Sequence, residues 1–432
     1  MSLKNLSVLI IILFSFQVNC QAQGFFFMKG RVINRDTKEP LPYVNIYLRN
    51  SDIGTSTNET GNFRLRISNS VRLDTLVASS IGFKPYKKLL AQNDEFIDIA
   101  LEEQSVSLRP IEVIAKTPFS IFRDAIIKTN KSILSPVLLN TYYREFISKN
   151  GRLTKFSDGL IDYYIEFDGE YPNIKTRVTE SRAKSSPIKY ETKSLGDISV
   201  PEPINLEVLP ELLDVERDFK KLSTNDYDFD FFEITDETGR EYYKLKFYPK
   251  SGVIKPLHEG QLFIDRNTSI ITSIDYQLAE STKKFVSIKN VLGVKFQVSS
   301  AMVHIQYQMI GEKCHLKHVK ASISVHIFNK KDYDLTHTFT SEMLVNKVSF
   351  QERNPFQRSE VYKKNSLYKR GNNFNSNFWE DQRSILTTGQ EDKIIKELYM
   401  RMDSTKKNKR KPLSKANPVG EFKSGFAKSF TK

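Results

Sequence analysis

Hydrophobic and polar residues alternate with a period of two along most of the chain, first in short segments and then in longer ones. Val44, Ile46 and Leu48 share one face of a predicted strand. The same alternation marks the segments 31–33, 63–67, 75–79, 84–90 and 96–101. About seven short strands separated by turns are typical of an antiparallel β-sandwich.

The turn at residues 58–61 has a local chemical cause. The side chain of Asn58 can accept hydrogen bonds from the backbone that follows it, and Gly61 can adopt the left-handed conformation without steric cost. This short stretch therefore predicts a tight turn between two strands.

The same region resembles the carboxypeptidase-regulatory-like domain. The similarity rests on the residues 29–33, 36–46, 54–63 and 76–83. It implies a seven-stranded Ig/transthyretin-like sandwich over residues 29–113, in a Gram-negative envelope protein. The family name implies no peptidase activity by itself. Members often have glycine where Tyr43 stands and aspartate where Asn58 stands, and neither difference threatens the fold.

A larger antiparallel, curved β domain is predicted over residues 119–350, with a few helices and one buried face. Helical spacing of apolar residues predicts helices near 119–132 and near 205–222. Between and after them, alternation is sustained in segments 161–167, 243–247, 262–278, 303–309 and 319–327. The economical architecture packs the helices against the concave side of this sheet.

The predicted concave face has two interpretations. Its own side chains can fill it, which is the usual fate of an apolar face. Alternatively it forms a half-barrel that carries a lipid or another apolar ligand, with a cavity lined by Tyr243, Leu245, Phe247, Val303, Ile305 and Tyr307. The meander is similar to lipoprotein-carrier half-barrels at the level of architecture only.

Two short motifs resemble a group of Gram-negative envelope proteins in which a helix follows the regulatory domain. They are Tyr142-Tyr143-Arg144-Glu145 and Asn377-Phe378-Trp379-Glu380. The resemblance implies a location more than an activity. A C-terminal helical segment is predicted over 376–402, in which Thr388 and Glu391 form a capping box and Trp379 fills a core gap.

The formal net charge is +14, and most of the excess lies near the C-terminus. Residues 403–432 are predicted to be a disordered basic tail. Its cations could contact an anionic envelope surface through Lys406, Lys407, Lys409, Arg410, Lys411 and Lys415. Nucleic acid is not an expected partner, because export and sparse aromatic residues both argue against it.

The first 22 residues have the pattern of a signal peptide. Lys4 precedes an apolar run, and small residues suited to cleavage follow. The alternative is a lipoprotein with a lipidated Cys20. No later apolar stretch is long enough for a transmembrane helix, so the mature chain is expected in the periplasm or at the outer membrane. Cys314 would then be the only cysteine, which leaves no internal disulfide.

Candidate catalytic and metal chemistry is weak in this sequence. Cys314, His315 and His318 are suggestive, but in a regular strand residues 315 and 318 point to opposite faces. None of the six histidines has glutamate three residues later, as a zinc carboxypeptidase requires. Asp226, Asp228 and Asp230 are predicted to lie in an acidic loop that is exposed to solvent. We therefore expect no metal, no cofactor and no catalytic residue.

These observations favour a non-catalytic exported envelope protein. In this interpretation the sandwich is an interaction module and the larger domain is a β scaffold or binding domain. Its partner would be an envelope protein or an anionic or lipidic envelope component. The half-barrel carrier is the alternative, and a hydrolase whose site the sequence does not reveal is the third hypothesis.

Overall fold

The computed structural model describes residues 24–104, 117–185, 219, 223–363, 367 and 376–396. Within these ranges it leaves out 52, 70, 72–73, 91–95, 169–170, 237–238, 292, 330–333, 383, 390 and 394. The predicted signal peptide, nearly all of the predicted helix near 205–222 and the basic tail with its six candidate cations lie outside the described residues.

The N-terminal region is a sandwich of seven strands, as predicted. They are β1 (Phe25–Asn34), β2 (Asn45–Leu48), β3 (Gly54–Ser56), β4 (Asn62–Ser68), β5 (Thr75–Ser79), β6 (Tyr86–Leu89) and β7 (Phe96–Leu101). One sheet has the order β4-β1-β7 and the other β3-β2-β5-β6. All pairs are antiparallel except β1 with β7. Alternate residues such as Ile46 and Phe63 are fully buried between the two sheets.

The turn that begins at Asn58 has the expected cause. The Asn58 carboxamide oxygen accepts hydrogen bonds from the backbone N–H groups of Thr60 at 3.1 Å and Asn62 at 2.9 Å. Gly61 has a φ of +73°, and a Cβ there would lie 2.4 Å from the carbonyl oxygen of Val32. Only glycine fits this conformation without displacing β1.

The second region contains a helix and an antiparallel sheet of eleven strands. The helix α1 (Pro118–Ser132) precedes it. The strands are β8 (Val137–Lys149), β9 (Arg152–Asp168), β10 (Tyr171–Ser185), β11 (Tyr227–Thr235), β12 (Glu241–Pro249), β13 (His258–Asp265), β14 (Ile271–Leu278), β15 (Lys289–Val291), β16 (Val294–Ile310), β17 (Lys313–Phe328) and β18 (Asp334–Phe350). Their order is β10-β9-β8-β18-β17-β16-β14-β13-β12-β11, and β15 adds to β16.

Helix α1 lies on the concave face of this sheet, against β11, β14 and β17. Its N-cap is Thr117, whose hydroxyl accepts a hydrogen bond from the backbone N–H of Ser120, and Pro118 occupies the first turn. The Phe122 ring lies 5.5 Å from Phe219 and 5.4 Å from Phe247. These aromatic contacts are part of one continuous apolar core that extends across the concave face.

The expectation of a single buried face is wrong for the middle of the sheet. Tyr142, Arg144 and Phe146 point away from α1, yet all three are buried. The C-terminal segment covers this convex face: Phe356 packs with Tyr164, Trp379 and Ile385 with Tyr142, and Ile395 with Phe156. Strands β8 and β9 are therefore buried on both faces.

The C-terminal segment contains a short helix α2 (Ser376–Gln382), and Trp379 in it is fully buried. The predicted capping box is present. The backbone N–H of Glu391 donates to the Thr388 hydroxyl at 3.1 Å, and the Glu391 carboxylate accepts from the N–H of Thr388 at 2.7 Å. No helix in the described ranges is both long and apolar enough to cross a membrane.

Candidate functional site

The candidate site is the place where the sandwich, the convex face of the sheet and the C-terminal segment meet. We call it the junction and define it by Tyr43, Glu59, Arg144, His304, His318, Lys320, Glu342 and Glu391. The first two side chains come from the sandwich, the next five from strands β8, β16, β17 and β18, and the last from the C-terminal segment.

A β-bulge in β17 determines which side chains reach the junction. His315 pairs with Gln308 and His318 with Gln306, so both histidines lie on the same face. The expectation that they point to opposite faces is therefore wrong, because the strand is not regular between them. Cys314 points to the concave core, where burial raises the pKa of its thiol to about 12. In the ranges that the structure describes, no group of three metal-ligating side chains is present.

Arg144, Glu342 and His318 form a buried network. The guanidinium Nε of Arg144 donates to Glu342 Oε2 at 2.7 Å, and His318 Nε2 lies 2.9 Å from Glu342 Oε1. All three side chains are at most 2% exposed. Neighbouring β-strands place them together, since Arg144 pairs with Glu342 and His318 lies one strand further on.

Burial opposes the charge on each of these groups; neighbouring charges outweigh burial for Glu342 and Arg144, whereas burial prevails for His318. Burial disfavours ionised Glu342, but Arg144, Lys320 and His318 hold the pKa of its carboxyl well below the usual range. Burial lowers the pKa of His318, and Glu342 only partly opposes this. Burial also works against charged Arg144, but Glu342 and Glu391 raise its pKa above the ordinary value. The network therefore contains an ion pair and a histidine with a weakened affinity for protons.

Tyr43 links the sandwich to this network. Its ring stacks on His304 at 4.1 Å and lies 5.2 Å from the ring of His318. Its backbone carbonyl accepts a hydrogen bond from the side chain of Gln306 at 2.8 Å. Tyr43 has a φ of +59°, a strained conformation for a bulky residue. The strain occurs at the position where the resembling family often has glycine.

Further contacts close the junction on two sides. The Lys320 ammonium lies 2.7 Å from the Glu59 carboxylate of the sandwich. The side-chain amide of Asn58 donates to the backbone carbonyl of Leu386 at 3.2 Å, and the hydroxyl of Thr55 donates to the backbone carbonyl of Ser384 at 2.6 Å. Arg144 also approaches Glu391, at 3.5 Å. The three parts of the chain therefore share one hydrogen-bonded contact region.

A cavity of about 370 Å³ opens beside these contacts. Its wall combines both signs of charge, hydroxyl groups and apolar side chains. The lining residues are Tyr43, Glu59, Phe146, Ser148, Gly151, Leu153, Met302, His304, Lys320, Ser322, Thr340, Thr388 and Glu391. Such a wall can donate and accept hydrogen bonds and can pack against an apolar or ring-shaped group.

The other residues singled out in the sequence are dispersed. Asp226, Asp228 and Asp230 are engaged separately, by Lys255 at 2.6 Å, by Lys250 at 3.7 Å and by the Tyr248 hydroxyl at 3.2 Å. Two further histidines are bonded to aspartates: His304, which is buried, to Asp275, and His326 to Asp334. Of the proposed carrier lining, Leu245, Phe247, Ile305 and Tyr307 are buried in the concave core, whereas Tyr243 and Val303 are half-buried.

Sequence reasoning did not predict that the junction residues come together, although one signal was present. Arg144 lies between Tyr142 and Phe146 on the same face of β8. Large aromatic residues two positions on either side of an arginine indicate a covered face rather than a solvated one. Nothing local in the sequence identifies Tyr43 or Glu342 as its neighbours.

Comparisons with known proteins identify one part of the chain. Residues 28–113 match the family model of the CarboxypepD_reg-like domain. The comparison with curated proteins gave no match.

Three solved structures show a weak similarity. A DUF1329 family protein from Desulfovibrio piger is 12% identical over 57% of this chain and all of its own, with a TM-score of 0.23. A structure that concerns lipid–protein interactions in lipovitellin is 9% identical over 55% of this chain and 28% of its own, with a TM-score of 0.25. A LolA superfamily protein from Nitrosomonas europaea is 8% identical over 56% of this chain and 97% of its own, with a TM-score of 0.19. These scores are too low to establish a common fold.

Proposed function

We propose that the protein is a non-catalytic binding protein of the cell envelope, exported to the periplasm or the periplasmic face of the outer membrane. Its sandwich and its large sheet act together as one platform. The partner is an envelope protein or an anionic or lipidic envelope component, and a polar group of that partner occupies the junction cavity.

The observation that carries this proposal is the way in which the sandwich is attached. Tyr43 and Glu59 contact the sheet, and Asn58 contacts the C-terminal segment. A module attached through buried stacking, an ion pair and hydrogen bonds presents a surface in fixed orientation. Preorganisation of this kind favours binding because less conformational entropy is lost when the partner arrives.

The chemistry at the junction favours binding over hydrolysis. In the described part of the chain, neither Nε2 of His304 nor Nδ1 of His318 has a hydrogen-bond partner. A nucleophilic hydroxyl activated by histidine would have to lie within hydrogen-bond reach of such a nitrogen. The Ser322 hydroxyl in the cavity wall is instead paired with the hydroxyl of Thr340 at 3.0 Å.

The test blocks the cavity and leaves the rest of the sheet intact. Ser322 and Ser324 are successive outward positions of β17, both half-buried and both paired with a threonine hydroxyl at 3.0 Å, but only Ser322 lines the cavity. We expect tagged wild-type protein and Ser324→Arg to capture the same envelope component, and Ser322→Arg to lose it. Equal capture by all three proteins would refute the proposal, and so would the absence of any saturable partner.

A second candidate function, the carriage of an apolar ligand, is favoured by the extent of the concave apolar face. Phe231 and Tyr243 form a ring pair at 5.0 Å on that face, and both are only half-buried. Native mass spectrometry of protein purified from envelopes tests this function. Bound lipid that is lost in Tyr243→Arg but kept in Met302→Arg, on the convex face, would support it. Ligand-free protein would contradict it.

A further inference from the structure

One end of the large sheet carries a group of loops that the junction does not use. Strand β12 ends at Pro249 and β13 begins at His258, while β14 ends at Leu278 and β15 begins at Lys289. Strands β12, β13 and β14 are antiparallel neighbours, and β14 and β15 both pair with β16. The connection from β12 to β13 and the connection from β14 to β15 therefore lie at the same end of the sheet. We call residues 250–257 and 279–291 the lysine rim.

Exposed apolar side chains are concentrated at this end. Ile254 is 79% exposed, Ile288 51% and Val291 38%. Together with Tyr248 at the end of β12 they account for four of the nine large hydrophobic side chains that are exposed in the described part of the chain. Isolated exposed apolar residues need no explanation, but a group at one end of a domain indicates an interaction surface.

Hydrogen bonds fix the loops that carry these exposed side chains. The Thr282 hydroxyl accepts from the backbone N–H of Leu257 at 3.1 Å and donates to the Leu257 carbonyl at 3.2 Å, which ties the two loops together. The side chain of Gln297 donates to the carbonyl of Val286 at 3.1 Å, and β15 is paired with β16. Ile254 and Ile288 are therefore exposed on connected, hydrogen-bonded loops.

Lysines surround the apolar side chains. The rim contains Lys250, Lys255, Lys283, Lys284 and Lys289, and Glu280 is the one acidic residue among its described members. Lys283 pairs with Glu280, Lys255 with Asp226 and Lys250 with Asp228, but these three lysines remain 39–53% exposed. Exposed pairs of this kind are weak, so their lysines can exchange a carboxylate partner for another anion.

We infer that the lysine rim binds the surface of an anionic phospholipid bilayer. In this arrangement Ile254, Ile288 and Val291 enter the boundary between headgroups and acyl chains, and the lysines contact lipid phosphates. The combination of exposed aliphatic side chains with a cationic surround matches that interface, where one depth is apolar and the next is anionic. The inference goes beyond the proposed function, because it assigns a surface at the end of the sheet rather than the junction cavity.

Sedimentation of the full chain with lipid vesicles tests the inference. The common background replaces all nine cations of the tail by glutamine, so that the charge of the tail cannot account for the binding; they are Lys406, Lys407, Lys409, Arg410, Lys411, Lys415, Lys423, Lys428 and Lys432. We expect this background protein to sediment with phosphatidylcholine vesicles that contain phosphatidylglycerol, and to be released by salt. Each of the substitutions Lys283→Gln and Lys284→Gln should weaken binding about fivefold.

Matched controls lie at the opposite end of the same strands. Ile310, at the far end of β16, is 50% exposed and matches Ile288, and Lys313, at the far end of β17, is also exposed. Ile288→Ser should weaken binding, whereas Ile310→Ser and Lys313→Gln should not. In an Ile288→Trp variant the added tryptophan emission should shift to shorter wavelength with anionic vesicles, and in Ile310→Trp it should not.

The outcomes separate this inference from the proposed function. Ser322→Arg should leave vesicle binding unchanged, because the junction cavity is not involved. Equal binding to vesicles without phosphatidylglycerol would overturn the inference, as would rim variants that bind like the background protein. Loss of a protein partner by the rim variants, with vesicle binding intact, would identify the rim as a protein interface and would also overturn it.

Discussion

The two faces of the large sheet are stabilised by different interactions. The concave face is a continuous apolar core that α1 and Phe219 cover, with aromatic rings 5–6 Å apart. The convex face is covered by the sandwich and the C-terminal segment, and its centre is the charged network of Arg144, Glu342 and His318. Apolar packing is tolerant of detail, whereas a buried charge requires its specific partner. The convex face therefore depends on parts of the chain that are distant in sequence.

The largest predicted effect concerns the convex face. Glu342→Ala leaves the Arg144 guanidinium buried without its main partner, and we expect the free energy of unfolding to fall by about 3–5 kcal/mol. Urea unfolding measures this loss. Glu360→Ala is the control, because Glu360 pairs with Arg177 at the surface and its loss should cost about 1 kcal/mol or less. Equal effects of the two substitutions would contradict a buried network.

The corresponding test of the concave face removes apolar volume. Leu245 is fully buried in the concave core, and Leu245→Ala should lower the free energy of unfolding by about 3 kcal/mol. The next residue, Lys246, is exposed, so Lys246→Ala should change it by less than about 0.5 kcal/mol. The effect of Leu245→Ala should be independent of salt, because the substitution removes no charge. A strong salt dependence would show that the two faces are not distinct.

Histidines on the two faces should make the stability of the protein depend on pH. On the concave face, burial, Lys149 and Lys155 lower the pKa of His337 from 6.5 to about 4. Between these two pH values the unfolded chain binds a proton that the folded chain does not. The contribution of His337 to the free energy of unfolding is therefore fully present above pH 6.5 and is lost as pH falls towards 4.

The variant His337→Gln should reduce this acid-induced loss by about 1 kcal/mol, since the ring is partly exposed and the effect is screened. Unfolding midpoints measured at a series of pH values give the slope. His318 on the convex face has a pKa lowered by burial in the same direction, so some loss should remain in the variant. An unchanged slope in His337→Gln would mean that this histidine is not buried in the folded protein.

The smallest predicted effect on overall stability comes from Tyr43→Gly. The substitution relieves a positive φ that costs about 1–2 kcal/mol, and it removes a ring contact worth about 0.5–1.5 kcal/mol. The relieved strain offsets only part of the lost contact and burial, so the unfolding midpoint should fall slightly. Hydrogen exchange of the backbone amides around His304 and His318 should nevertheless become faster, because the stacked ring no longer covers them. Unchanged exchange would show that Tyr43 does not attach the sandwich.

The concave face and the sandwich were predictable because their information is local. The alternation of Phe63, Leu65 and Ile67 indicates one face of a strand. In the C-terminal segment, the spacing of Thr388 and Glu391 likewise indicates the start of a helix. The junction was not predictable in the same way. Arg144 and Glu342 are brought together by the pairing of β8 with β18, and one bulge reverses the expected orientation of His318 relative to His315. Strand order and bulges are properties of the whole sheet.

The most direct test of the account is whether the sandwich is fixed on the convex face of the sheet. The ammonium of Lys320 and the carboxylate of Glu59 lie 2.7 Å apart, which suits a zero-length carbodiimide crosslink in the full chain. The account predicts an intramolecular Lys320–Glu59 crosslink, identified by peptide mass spectrometry and absent in Glu59→Gln. Failure to form that crosslink in the monomeric protein, with Glu59 joined instead to scattered lysines, would contradict it.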